Sequence, residues 1–163
     1  MFSENDQSPL ILGVGNLLLG DEGVGVAAIQ RLEAEGFGAR AELVDGGTSG
    51  FHLLGLFRGR SHIILIDAAV DGQPSGTVSL IRPRFSTDFP PTLTAHDIGL
   101  KDLIESAALL GDLPRIDLIT ISIGGLNSMS MELAPPVAGA LTRVRSLVEE
   151  CLKISYGELT GCD

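Results

Sequence analysis

Four side chains in this chain are of types that can hold a cation, and each stands beside the end of an apolar run or the start of a helix: Glu22, Asp45, Asp67 and His96. Two of these three carboxylates with a neutral imidazole make a mixed oxygen–nitrogen donor set. Such a set suits a borderline divalent transition ion such as nickel or zinc better than calcium or magnesium. Three protein ligands also leave coordination positions open for water or substrate. Each residue has a plainer reading too. Glu22 can complement the positive end of a helix, and Asp45, before Gly46-Gly47, can close an Asx-turn. His96, within Thr94-Ala95-His96-Asp97, can be a solvated residue of a capping box. Asp67 is the hardest to read as structural, because a carboxylate at the end of a buried apolar strand is costly to desolvate. A helix N-terminus disfavours imidazolium, which keeps His96 in the neutral form a metal needs. Of the other histidines, His52 is at most a groove residue and His62, opening a strand at the opposite edge, is structural. Thr48 and Ser49 are the nucleophile-type side chains nearest, and neither has a histidine base with an orienting acid, so a serine-type triad is poorly supported.

The elements that must position these groups begin with Leu10 to Gly25, LILGVGNLLLGDEGVG. This stretch reads as a buried parallel strand, a tight turn and a helix N-terminus. It departs from a dinucleotide fingerprint at two points. The third glycine would fall at Leu18, and the helix would begin on Asp21 and Glu22, whose charges repel a pyrophosphate. A helix over about Glu22–Glu35 follows, with Val24, Ala28, Ile29 and Leu32 on its inner face, and then a second strand over Ala41–Val44 that ends at Asp45. A short helix about Phe51–Phe57 carries Leu53, Leu54 and Leu56; the third strand, Ile63–Ile66, is ended by Asp67. The link Ala68–Gly76 is too short for a crossover helix, so the fourth strand, Thr77–Arg82, runs antiparallel to its predecessor. A third helix about Ala95–Leu110, with Leu100, Leu103, Ile104 and Ala107 inward, leads to a fifth strand, Ile116–Ile123. A Gly/Asn/Ser/Met loop, Gly124–Met131, precedes a last helix opened by Pro135-Pro136, with Val137, Leu141, Val144, Val148 and Cys151 on one face. Right-handed crossovers put every strand-to-helix turn at one edge of a parallel sheet, where such folds bind ligands. Glu22, Asp45, Asp67 and His96 all map to that edge.

Composition narrows the function classes. One domain over residues 1–163 is expected, with 1–8 and 155–163 as loose tails. The 44% hydrophobic content supports a full core, and the formal net charge of −10 argues against nucleic acid and anionic membranes. No apolar run approaches the roughly 20 residues of a membrane helix, and Met1–Ser8 is too polar for a signal peptide, so a cytoplasmic protein is expected. Cys151 and Cys162 lack metal-ligand spacing and read as a core residue and a tail thiol.

GVGNLLLGDEGVG, then DGGTSG, then Asp67-Ala68, then His96-Asp97-Ile98-Gly99-Leu100, in that order and spacing, closely resemble the hydrogenase maturation endopeptidases. The resemblance extends from Leu10 to about Leu152. It implies a three-layer α/β/α, phosphorylase/hydrolase-like fold, with a five-stranded mixed sheet in the order 2-1-3-5-4 and strand four antiparallel. It implies removal of a short C-terminal extension from the nickel-loaded large-subunit precursor of a nickel–iron hydrogenase. By the same resemblance Glu22, Asp67 and His96 are the nickel ligands and the catalytic set, in an enzyme grouped as an aspartic-type endopeptidase. The nickel is supplied by the precursor, with no nucleotide or organic cofactor. Asn16, Asp45, Gly46, Gly47 and Thr48 match the substrate-recognition positions. The precursor is then the partner, and a monomer is expected. Two alternatives stay open: a hydrolase of small peptides or amides with its own zinc, and a non-catalytic nickel-recognising chaperone.

Overall fold

The structure, a computed structural model, describes residues 8–48, 53–83, 88, 90–91, 100–109, 111, 114–125 and 129–160. Its elements in chain order are β1 (Leu10–Val14), α1 (Val24–Ala34), β2 (Glu42–Gly47), α2 (Leu54–Phe57), β3 (His62–Ala69), β4 (Val78–Ile81), α3 (Leu100–Leu109), β5 (Arg115–Ser122) and α4 (Pro135–Thr160). The strands form one sheet in the order β2-β1-β3-β5-β4. Every pairing is parallel except β4 with β5.

Period-two alternation sends the two halves of each central strand into different cores. Ile11, Ile64, Ile66, Ile119 and Ile121 pack with Val24, Ala28, Ile29 and Leu32 of α1 and Val137, Val144, Val148 and Cys151 of α4. Leu10, Leu12, Ile63, Leu65, Ile116 and Leu118 pack on the other face with Leu53 and Phe57 around α2 and Ile104 of α3. Helices on both faces of a mixed sheet make the three layers. The long apolar runs of β1, β3 and β5 follow from that double burial.

The structure corrects several boundaries. Glu22 lies not in the α-helix but in a 3-10 turn, Gly20–Gly23, and α1 begins at Val24. β2 runs on through Asp45 to Gly47, since Asp45 pairs with Gly13 and Gly47 with Val14 across a bulge. β3 continues to Ala69, so Asp67 sits inside the strand instead of ending it. The cause is β5: the β1 pairing stops at Gly13–Ile66, but the β5 pairing carries β3 on to Ala69–Ser122. β4 is antiparallel and pairs with β5, which lies between it and β3, as the expected order 2-1-3-5-4 requires. At the chain ends, Ser8 is held by a 3.1 Å hydrogen bond from Arg60 to its carbonyl. The backbone of α4 stays helical to Thr160, past Ile154, where a loose tail was expected.

Candidate active site

Two glycines bring the first turn onto the sheet. Gly15 has φ 141°, and a Cβ there would lie 2.0 Å from the Glu22 carbonyl oxygen. A Cβ on Gly25 would lie 2.3 Å from the Val14 oxygen and 2.5 Å from the Ile66 oxygen. The start of α1 therefore rests directly on the backbones of β1 and β3, close to the point where they part. This packing delivers Glu22, only 2% exposed, to the carboxyl edge of the sheet.

Asp67 reaches the same edge from β3 and is fully buried. Its Oδ1 accepts a 2.8 Å hydrogen bond from the amide of Ala68. Alternation places it on the face of Ile63 and Leu65, one register step above the row Leu65–Leu118–Ile81. Asp67 itself is in register with Thr120, and Thr120 with Ser79. The sheet thus changes from apolar to polar at that row. The third residue expected with these two carboxylates, His96, lies outside the described residues, as do His52 and Ser49. Among the described residues, no group of three histidine, cysteine or acidic side chains converges as a metal site.

An open cleft of about 340 Å³ lies between the β1–α1 turn and the end of β2, lined by Gly15, Asn16, Leu17, Leu18, Val26, Asp45, Gly47 and Thr48 and by neither Glu22 nor Asp67. Four of the five residues expected to meet substrate are among them. The fifth, Gly46, is buried, and a Cβ there would press on Leu12 and Val14. Asn16 and Asp45 also shape their own turns. Asn16 Oδ1 accepts from the Leu18 amide at 2.9 Å, and Asp45 Oδ1 accepts from the Gly47 amide at 2.9 Å. The Asx-turn reading of Asp45 holds, and the turn leaves its side chain exposed on the cleft.

Asp21 behaves differently from Glu22. It is 5% exposed, and its Oδ1 accepts a 2.7 Å hydrogen bond from the amide of Ala134, the residue before α4. The acidic pair is therefore divided, with Asp21 serving as a brace between the first turn and α4. Two further features were not foreseen from the sequence. Leu17 and Leu18 line the cleft, Leu18 being 53% exposed. The segment around Ser130 is tied to that turn, with Ser130 N donating to Leu18 O at 3.0 Å and Gly20 N to Ser130 O at 2.5 Å. An apolar run Leu17-Leu18-Leu19 inside a turn was the available signal, since turns are ordinarily polar.

At the opposite edge, His62 Nε2 lies 2.7 Å from Asp117 Oδ2, with Arg82 at 3.1 Å and Arg115 at 3.4 Å. Burial pushes the Asp117 carboxyl up, but the hydrogen bond with His62 and the charges of Arg115 and His62 outweigh it, so the group ends below its ordinary range. Burial, with Asp117 beside it, pushes the Cys151 thiol up to about 12. These groups bind the amino end of β3 to β5 and α4, which bears out the structural reading of His62 and the core reading of Cys151.

Residues 26–151 match the profile of the family described as hydrogenase maturation protease. That span includes Asp45, Asp67 and His96 and begins just after Glu22. The hydrogenase 2 maturation protease of Escherichia coli K12 is 32% identical over 147 residues, covering 88% of this chain and 85% of that protein. The solved structure of the hydrogenase maturating endopeptidase HybD from E. coli superimposes with a TM-score of 0.73 at 30% identity, covering 88% of this chain and 93% of that one. The NiFe hydrogenase maturation protease HybD from Thermococcus kodakarensis gives a TM-score of 0.73 at 25% identity, over 88% and 97% of the two chains.

Proposed function

From the premise that this chain belongs to the hydrogenase maturation protease family, we propose that it removes the C-terminal extension from the nickel-loaded large-subunit precursor of a nickel–iron hydrogenase. Glu22, Asp67 and His96 grip the nickel that the precursor carries, and Asn16, Asp45, Gly46, Gly47 and Thr48 form and shape the groove that receives the polypeptide. The metal is part of the substrate and serves as its recognition element. The enzyme works as a cytoplasmic monomer on a precursor that has already received its metal.

The observation that carries this reading is that two buried carboxylates and an open cleft lie at the same edge of the sheet. Buried carboxylates favour a cation over a neutral ligand, because charge is least screened there. A cation arriving with the substrate orients the attached polypeptide as it is gripped, and orientation is where positioning groups contribute most to rate. Glu22 and Asp67 act on the reaction first through that grip.

The test mixes purified enzyme with precursor prepared with and without nickel and follows loss of the extension by mass. Only nickel-loaded precursor should be shortened. Asp67→Asn keeps the shape and the acceptor for the Ala68 amide but removes the charge, so it should abolish processing in a folded protein. His96→Ala should weaken it. Efficient cutting of nickel-free precursor, or full activity in Asp67→Asn, would overturn the reading. Tight binding of precursor without cutting would assign the protein to chaperoning instead.

A further inference from the structure

We propose that Leu18, Met129 and Met131 form an apolar rim on the cleft, and that it takes apolar side chains of the precursor polypeptide flanking the cut. The proposal rests on the proteolytic reading above and deepens it by naming what part of the substrate the site selects.

Large apolar side chains are rarely left in water without a reason when they cluster. Leu18 is 53% exposed, Met129 82% and Met131 75%. They come from stretches more than a hundred residues apart in sequence and are drawn together by backbone bonds. Ser130, between the two methionines, donates to the Leu18 carbonyl at 3.0 Å and accepts from the Gly20 amide at 2.5 Å. The Ser130 hydroxyl accepts from the Glu132 amide at 3.2 Å, and Asp21 holds the Ala134 amide at 2.7 Å. Both stretches are thus fastened to each other, and α4 is fastened to the same turn.

The rim is continuous with the cleft because Leu18 belongs to both. An endopeptidase must pass a polypeptide across its site, so surface contiguous with the cleft meets the residues on either side of the cut. The opposite wall, Asp45 and Thr48, is polar and exposed. The two walls therefore sort the substrate: backbone and polar groups toward β2, apolar side chains toward Leu18 and the methionines. Methionine suits such a surface, since its flexible thioether adapts to different apolar partners. A second copy of this chain fits less well. The three side chains expose several hundred square ångströms at most, short of the roughly 800 Å² per partner of a stable protein interface.

The test compares wild type with Met129→Gln/Met131→Gln and Met129→Leu/Met131→Leu. Both keep side-chain length closely, and both sites are exposed, so urea midpoints should match. With nickel-loaded precursor, the Gln pair should raise KM by about tenfold with kcat within about twofold, and the Leu pair should keep the wild-type KM. The same tenfold weakening should appear in the Kd for precursor. An unchanged KM and Kd in the Gln pair, or an equal loss in the Leu pair, would overturn the rim. So would a wild-type dimer in sedimentation that the Gln pair abolishes. A wild type that binds precursor with the expected dependence on the rim but never cuts it would refute the proteolytic reading and leave the rim standing.

Discussion

A methyl group added at Gly25 and one added at Gly139 should have opposite consequences, although both residues are helical. In α4, Gly139 is exposed and nothing lies within 4 Å of a Cβ built on it. Alanine there loses less backbone entropy on folding and should stabilise the protein by about 0.5–1 kcal/mol. In α1, the Cβ of Gly25→Ala would lie 2.3 Å from the Val14 oxygen and 2.5 Å from the Ile66 oxygen. Both fall about 1 Å short of ordinary contact, and both are backbone atoms of paired strands that have no freedom to turn aside. The start of α1 must withdraw instead. The cost of such overpacking, about 1–3 kcal/mol, outweighs the gain in propensity. Withdrawal also shifts Glu22, three residues earlier, and on its proposed role in gripping the substrate a displacement of about 1 Å should lower the rate about a hundredfold. Urea unfolding followed by circular dichroism measures the first effect, and the processing rate of nickel-loaded precursor, read by mass, measures the second. Equal stability and equal processing in Gly25→Ala and Gly139→Ala would refute the claim that the glycine contact sets the site.

Two further predictions concern the braces. Asp117→Asn removes a fully buried charge from His62, Arg82 and Arg115 and should lower the unfolding free energy by about 3 kcal/mol at neutral pH. Because the folded carboxyl lies below its ordinary value of 3.8, its contribution is complete above that value and is lost as pH falls through the lower folded one. The gap between the urea midpoints of wild type and variant should accordingly narrow as pH falls below 3.8, and a gap that widens with falling pH would contradict this. Asp21→Ala leaves the amide of Ala134 without its acceptor and should cost about 1–2 kcal/mol. The same variant should raise KM for precursor, because the first turn loses its brace to α4. A stability within error of wild type would show that the brace carries no weight.

The chemistry of individual residues and the rhythm of the elements were legible in the chain. The 3.6-residue spacing of Val24, Ala28, Ile29 and Leu32 marks the buried face of α1, and the continuous apolar run of β3 marks a strand covered on both sides. Connection lengths were enough to put Glu22, Asp45 and Asp67 at one sheet edge. Long-range contacts decided the rest, because a residue's neighbours in space leave little trace among its neighbours in sequence. Asp67 lies inside β3 only because β5 extends the ladder past the end of β1. Asp21 and Glu22 are adjacent and chemically alike, yet an amide more than a hundred residues away makes one of them a brace. The exposure of Met129 and Met131 beside Leu18 follows from backbone bonds between distant stretches, which no periodicity encodes. Local pattern determines which face is apolar, and tertiary packing determines which polar group is left facing the cleft.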